Sequence, residues 1–206
     1  NDEELTAAVR EATRLGLPAA AHAYSDDGVS AAVKAGVRSI EHGSLITRPT
    51  LELMRDHGVY FVPTLGPFAL DLSPNAPPEA RPLRPRTETM FKSARRAIEM
   101  ARRLGVPIVA GADTSYEEGE TTAIDEIIAL AEAGLSNLEA IRSATTVAAD
   151  CLRISAAKGA IQPGLDADLV AYADNPVNDL RALRDPLLII NGGKVFLNKL
   201  PASRGR

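Results

Sequence analysis

The sequence predicts an α/β chain built on a parallel sheet, and three observations predict it. A helix-like stretch, a glycine and a short apolar run follow one another four times before residue 113, the signature of βα units. His22 and His42 each close such a run, each six residues after a glycine, Gly16 and Gly36. From Gly159 the style changes to turn residues and short β-like runs, which read as a separate patch of β-structure.

The elements follow in order. Asn1 or Asp2 caps a first helix over about residues 3–15, with acidic residues in its first turn and Leu5, Ala8, Val9, Ala12 and Leu15 at helical spacing. Gly16 ends it, and LPAAAH suits a strand buried on both faces. Ser25 or Asp26 caps a second helix through AAVKA, Gly36 stops it, and VRSIEH is the second strand. The third unit runs from Pro49 through LELMRDH to Gly58 and VYFVPT. A longer helix over 86–104 then leads into VPIVAGAD as a fourth strand. Helices are expected over 122–133 and 137–150, the second opened by a Ser136 to Glu139 capping box. DLVAY and LLIINGGKVFL are β, with Gly192-Gly193 as a hairpin turn. Between units three and four, the proline-rich segment 67–87 is too long for a simple connection and reads as a lid or wall.

Composition excludes several classes of function. A formal charge of −4 with scattered arginines offers no basic stripe for nucleic acid, and no apolar run reaches membrane-spanning length. The lone Cys151 cannot form a disulfide within the chain, reads as a small buried hydrophobe, and suits a reducing cytoplasm. No phosphate loop, Walker motif or G-x-S-x-G elbow occurs.

Candidate chemistry comes from register. Glycines 16 and 36 end their helices, and an equal interval beyond each carries a histidine to the same edge of the sheet. In a (β/α)8 barrel that edge is the mouth where active sites are built. Thr64 falls at the matching position of the third unit, and Asp113 slightly later in the fourth. A lone histidine at a strand end is more often structural than ligating; two in register with an aspartate in a third unit favour a metal. His57, in the last turn of its helix, suits the helix dipole and carries no catalytic role. Tyr24 and Tyr116 stand near the same mouth and, with Thr64, are candidate substrate contacts.

The runs AAHAYSDDGVSAAVKAGVRSIEHGSL, HGVYFVPTL, GVPIVAGAD, EAGLSNLEAIRSATTVAADCL and KGAIQPGLDADLVAYADNP resemble, in that order, the C-terminal half of the metal-dependent amidohydrolase superfamily. The similarity is greatest to its imidazolonepropionase-like and Xaa-Pro dipeptidase (prolidase-like) branch. The resemblance implies the second half of a (β/α)8 TIM barrel, about four parallel strands with helices over residues 1–158. It also implies a β-strand segment over 159–206 that forms part of a composite β-sandwich. His22, His42 and Asp113 fall on the metal ligands, with Zn2+, as one or two divalent metals, the implied cofactor. Asp113 falls on the general base that takes a proton from the attacking water and returns it to the leaving amine.

The implied activity is hydrolysis of an amide or dipeptide bond in a small-molecule substrate. The alternatives are a deaminase on a single metal, and a catalytically incomplete fragment or assembly partner. The family's His-x-His strand and its bridging lysine have no counterpart here, and a barrel takes ~250 residues. The expected partner is therefore an N-terminal half-barrel, another chain that completes the barrel, or a second copy in a homo-oligomer. Two open sheet edges and a bare apolar inner face are expected without it.

Overall fold

The computed structural model describes residues 1–72, 74, 82–114 and 122–201. Its first half alternates α1 (Asp2–Arg14), β1 (Ala20–Ala23), α2 (Asp26–Ala35), β2 (Ser39–His42), α3 (Arg48–His57) and β3 (Tyr60–Val62). The strands form a parallel sheet in the order β1-β2-β3. Local chemistry sets these boundaries. Asn1 closes a capping box with Glu4 at the start of α1, and Ser25 caps α2 through Gly28 N–H. Gly36 and Gly58 end α2 and α3 in the left-handed conformation that glycine adopts without strain.

The fourth strand is a correction. Residues 106–113 do not form a strand; they pair at one bridge, Phe61 with Ile108. Phe61 N–H donates to Pro107 O at 2.9 Å and Val109 N–H to Phe61 O at 2.8 Å. The next amide, Ala110 N–H, turns away to Ser143 O at 3.1 Å. The chain peels off the sheet because a helix carbonyl, not a strand, receives that proton. The same bond accounts for a second difference. The helix expected over 137–150 is two, α7 (Asn137–Ser143) and α8 (Thr146–Cys151), interrupted where the Ser143 carbonyl is diverted.

The segment 67–87 also differs from expectation at both ends. Its first residues belong to α4 (Leu65–Leu72), and from Arg84 the chain is already in α5 (Arg84–Leu104). Residues 73 and 75–81 lie outside the described residues.

Side-chain alternation divides the sheet. Ile40, Phe61 and Ile108 stand level on one face and join the main core with Val29 and Val33 of α2, Leu51 and Met54 of α3, and Ile98 of α5. On the opposite face Tyr60, Val62 and Val109 pack against Cys151, Val147 and Ala148. That inner face is therefore not bare, since α8 covers part of it. Arg38 ties the two together, donating to Asp150 O at 2.8 Å and Cys151 O at 3.3 Å, while Tyr60 O–H donates to Asp150 Oδ2. Burial, with that bond, pushes the Tyr60 phenol up to about 12.

α6 (Ala123–Glu132) and α7 open on capping boxes, Thr122 with Asp125 and Ser136 with Glu139. In the second, Glu139 Oε2 accepts from Ser136 N–H and Ser136 O–H, each at 2.7 Å, and Arg102 Nε donates to the same carboxylate at 3.0 Å. These bonds, the Ser136 N–H first, hold the Glu139 carboxyl down to about 2. A depressed carboxylate stabilises the fold above its unfolded value of 4.5 and loses that contribution as pH falls toward 2. Glu139→Ala is expected to cost about 1 kcal/mol at pH 7, an amount kept small by solvent screening. The gap to wild type narrows below pH 4.5, read from urea midpoints at pH 7 and pH 3.5; a gap independent of pH contradicts this account.

The β-structure after Gly159 is an antiparallel sheet of β4 (Leu169–Tyr172), β5 (Pro186–Asn191) and β6 (Lys194–Asn198), in that order. Gly192 and Gly193 form the two-residue turn, with φ 54° and 77°. A 3-10 helix (Leu180–Arg184) sends Leu180 and Leu183 into the main core. Among the described residues no helix is long and apolar enough to cross a membrane.

Candidate active site

Parallel pairing sets His22 opposite Glu41 and Ala23 opposite His42, so the two histidines are one residue out of level. Strict alternation would then point His22 and His42 to opposite faces. The backbone of His42 resolves this: its φ of 74° is left-handed, which ends the strand's alternation and brings its ring round to its neighbour. His22 Nδ1 and His42 Nε2 face each other at 2.8 Å.

The same departure recurs just beyond β3 and in the segment that follows the Ile108 bridge. Thr64 has φ 52° and Asp113 φ 51°. A left-handed backbone is uncommon outside glycine and is an outlier for a β-branched residue such as threonine. Three of them at this end of the sheet store strain where side chains must be aimed. Their aim is His42. Thr64 Oγ1 lies 2.8 Å from His42 Nδ1, and Asp113 Oδ2 lies 4.0 Å from the same nitrogen. Tyr24 stacks on the His42 ring, centroids 4.4 Å apart and planes 7° apart.

His42 is thus enclosed on every side, with 6% of its surface exposed. Burial holds its imidazole below the usual range, with Asp113 pulling it up and His22 pushing it further down. A neutral ring is the form that binds a cation. Where Nδ1–H donates to Thr64 Oγ1, Nε2 keeps its lone pair toward His22, the outer-partner arrangement that fixes a ligating histidine. Burial also raises the Glu41 carboxyl, opposed by the O–H of Ser39, which donates to Glu41 Oε1 at 2.6 Å.

Gly43 makes this turn feasible. Its φ is 53°, and a Cβ there would stand 2.3 Å from Ile46 Cδ1 and 2.7 Å from Phe61 Cε2. The glycine of the IEHG stretch lets His42 reverse direction directly over the core.

Of the expected residues, the structure brings together His22, Tyr24, His42, Thr64 and Asp113, and Tyr116 lies outside the described residues. The three candidate ligands do not surround one centre. Asp113 and Thr64 approach Nδ1 of His42 while His22 faces Nε2, and among the described residues no group of three His, Cys, Asp or Glu side chains could hold an ion. Imidazole nitrogen is a donor that zinc-like divalent metals take, but at 2.8 Å His22 Nδ1 and His42 Nε2 are in hydrogen-bond contact, and the rings would have to part for both to ligate one ion. His57 accounts for itself within its helix, where Nδ1 pairs with Leu53 O at 2.9 Å.

Two carboxylates escaped the sequence reading. Glu41 faces His22 across the strand pair, and pairing β1 with β2 in register would have found it. Glu126 is wholly buried on α6 and accepts Gly66 N–H at 2.7 Å. Its signal is an acidic residue aligned with Ala129, Leu130 and Ala133 on an apolar helix face. A groove of about 750 Å³ lies elsewhere, lined by Ile141, Val170, Tyr172, Val177 and Leu183 among others, and shares no residue with the strand-end cluster.

Ochratoxinase of Aspergillus niger is 31% identical over 198 residues, which cover 94% of this chain and 41% of that protein. A Xaa-Pro dipeptidase solved with methionine in its active site superposes with a TM-score of 0.85 at 32% identity, over 96% of this chain and 49% of that one. A prolidase complexed with N-methylphosphonate-L-proline gives 0.86 at 32% identity, over 96% and 49%. The chain therefore spans about half the length of each of these proteins. The family model for the amidohydrolase family matches residues 1–195, nearly the whole sequence, and the chain belongs to that family.

Proposed function

We propose that this chain is the metal-binding C-terminal half of a hydrolase that cleaves amide bonds in dipeptide-like substrates, Xaa-Pro dipeptides first, in a reducing cytoplasm. The observation that carries the reading is the facing pair of His22 and His42, 2.8 Å apart, with Asp113 beside it at the same end of the sheet. The likeness to a Xaa-Pro dipeptidase and a prolidase over the same half supports the substrate class.

In this reading His22 Nδ1 and His42 Nε2 would hold the metal, Zn2+ or another divalent cation, and a first-half segment would supply its remaining ligands and those of any second ion. When bound, the metal supplies Lewis acidity and eases the loss of a proton from water near neutral pH. Thr64 Oγ1 fixes the tautomer of His42 through Nδ1. Asp113 Oδ2 takes the proton of the attacking water and delivers it to the departing amine nitrogen, so one carboxylate serves as base and then acid. Tyr24 covers the face of His42 from water and carries its hydroxyl near the substrate.

The parallel sheet over residues 1–158 is then the second half of a (β/α)8 barrel, with 159–206 a separate part of a β-sandwich. Val195 and Phe196 on β6 are exposed at 61% and 83%, apolar surface at the edge of the sheet that first-half strands would cover. A homo-oligomer of completed barrels is the expected assembly.

The test uses the full-length, metal-loaded protein. Xaa-Pro dipeptides are expected to be cleaved with kcat/KM above about 10³ M⁻¹s⁻¹, within reach of ordinary enzymes, and a chelator to abolish the activity until zinc is returned. Ammonia released from an amidine with no dipeptide cleavage would assign a deaminase and overturn the proposal. Residues 1–206 alone are expected to bind metal weakly, because catalytic zinc takes three protein ligands and this half offers two facing nitrogens. Stoichiometric zinc in the purified fragment by elemental analysis contradicts that expectation.

A further inference from the structure

Glu126 is fully buried, and one of its carboxylate oxygens, Oε1, has no hydrogen-bond partner. A buried, half-satisfied carboxylate is costly and calls for an explanation. Its other oxygen, Oε2, accepts Gly66 N–H at 2.7 Å. Gly66 stands in the first turn of α4, two residues after Thr64. A group that fixes the Gly66 amide restrains the two peptide planes that follow Thr64, and with them the direction in which the chain leaves that residue.

Thr64 needs such a restraint. A β-branched residue at φ 52° persists only when its surroundings over-determine it. Its left-handed turn places Oγ1 2.8 Å from His42 Nδ1. The line runs from α6 through the Gly66 amide to the hydroxyl that orients the central histidine.

We propose that Glu126 is a positioning residue of the active site, holding the amide of Gly66 so that Thr64 keeps its strained backbone and aims its hydroxyl at His42. It touches neither substrate nor metal. Its relevance to turnover rests on the hydrolase reading above, whereas its control of Thr64 does not. Reach, more than charge, is what the clamp requires. A carbonyl oxygen at the position of Oε2 suffices, and one pulled back by a methylene does not.

The full-length protein carrying Glu126→Gln, which keeps the reach, is compared with Glu126→Asp, which keeps the charge. Glu126→Met fills the same volume with no acceptor and replaces the aspartate variant if that one does not fold. The glutamine variant is expected within about threefold of wild-type kcat. The aspartate or methionine variant is expected to lose about tenfold or more in kcat with KM within about threefold, since misplacements near 1 Å cost up to ~10²-fold.

Crystal structures provide the readout that does not depend on activity. Thr64 keeps positive φ and its contact with His42 in the glutamine variant, and loses that contact, beyond 3.5 Å, in the other. Unchanged Thr64 geometry in the aspartate or methionine variant overturns the proposal, as does a tenfold loss of kcat in the glutamine variant. A wild-type protein inactive on every dipeptide would remove the hydrolase reading and leave the structural comparison to decide the clamp.

Discussion

Full-length protein carrying His42→Ala is expected to lose more than about a hundredfold in hydrolytic rate, because removing even an outer partner of a metal ligand costs roughly 10–100-fold. It is also expected to retain little metal after dialysis. His42 is the residue on which the site converges: His22 meets Nε2, Thr64 and Asp113 approach Nδ1, and Tyr24 stacks on the ring. Its loss removes one of two facing donors and leaves Thr64 strained for no partner. His57→Ala is the control, since among the described residues that ring hydrogen-bonds only to Leu53 O of its own helix. It is expected to leave rate and metal content near wild type. Metal content by elemental analysis and kcat on a Xaa-Pro dipeptide are measured together, with circular dichroism to confirm the fold. A folded His42→Ala protein with full metal and wild-type rate would remove the basis of the proposed site.

The largest loss of stability is expected at Phe61. Its side chain is wholly buried, level with Ile40 and Ile108, at the join between the strand pairs and the helices. Truncating a buried phenylalanine to alanine costs about 3–5 kcal/mol in transfer and cavity terms. That is a large share of the ~5–15 kcal/mol that holds a typical domain together. The backbone bonds to Pro107 and Val109 survive the substitution, so the effect comes from packing alone. Urea unfolding of Phe61→Ala in the full-length protein checks this, and a loss under 1 kcal/mol would show that the ring is not part of a close-packed core.

Much of this arrangement was legible in the residues. Helix stops at Gly36, Gly58 and Gly105, the Ser136 capping box and the Gly192-Gly193 hairpin are local signals, and each stands where the sequence places it. The fourth strand failed for a nonlocal reason. VPIVAGAD has strand character, but its pairing depends on which acceptor reaches Ala110 N–H, and Ser143, over thirty residues later, reaches it. Glu126 was hidden differently. Its acidic side chain on an apolar face is visible in sequence, but the Gly66 amide that donates to it is sixty residues away.

By itself the sequence determined the parallel βα order, the family and the edge of the sheet that carries the histidines, because apolar spacing and turn residues act over a few positions. Only the tertiary structure decided that His22 and His42 lie one residue out of level and still face each other. That depends on left-handed backbones at His42, Thr64 and Asp113, held by contacts between distant segments. Strain of that kind is stable only once the surrounding fold is in place, so no local stretch of the chain can announce it.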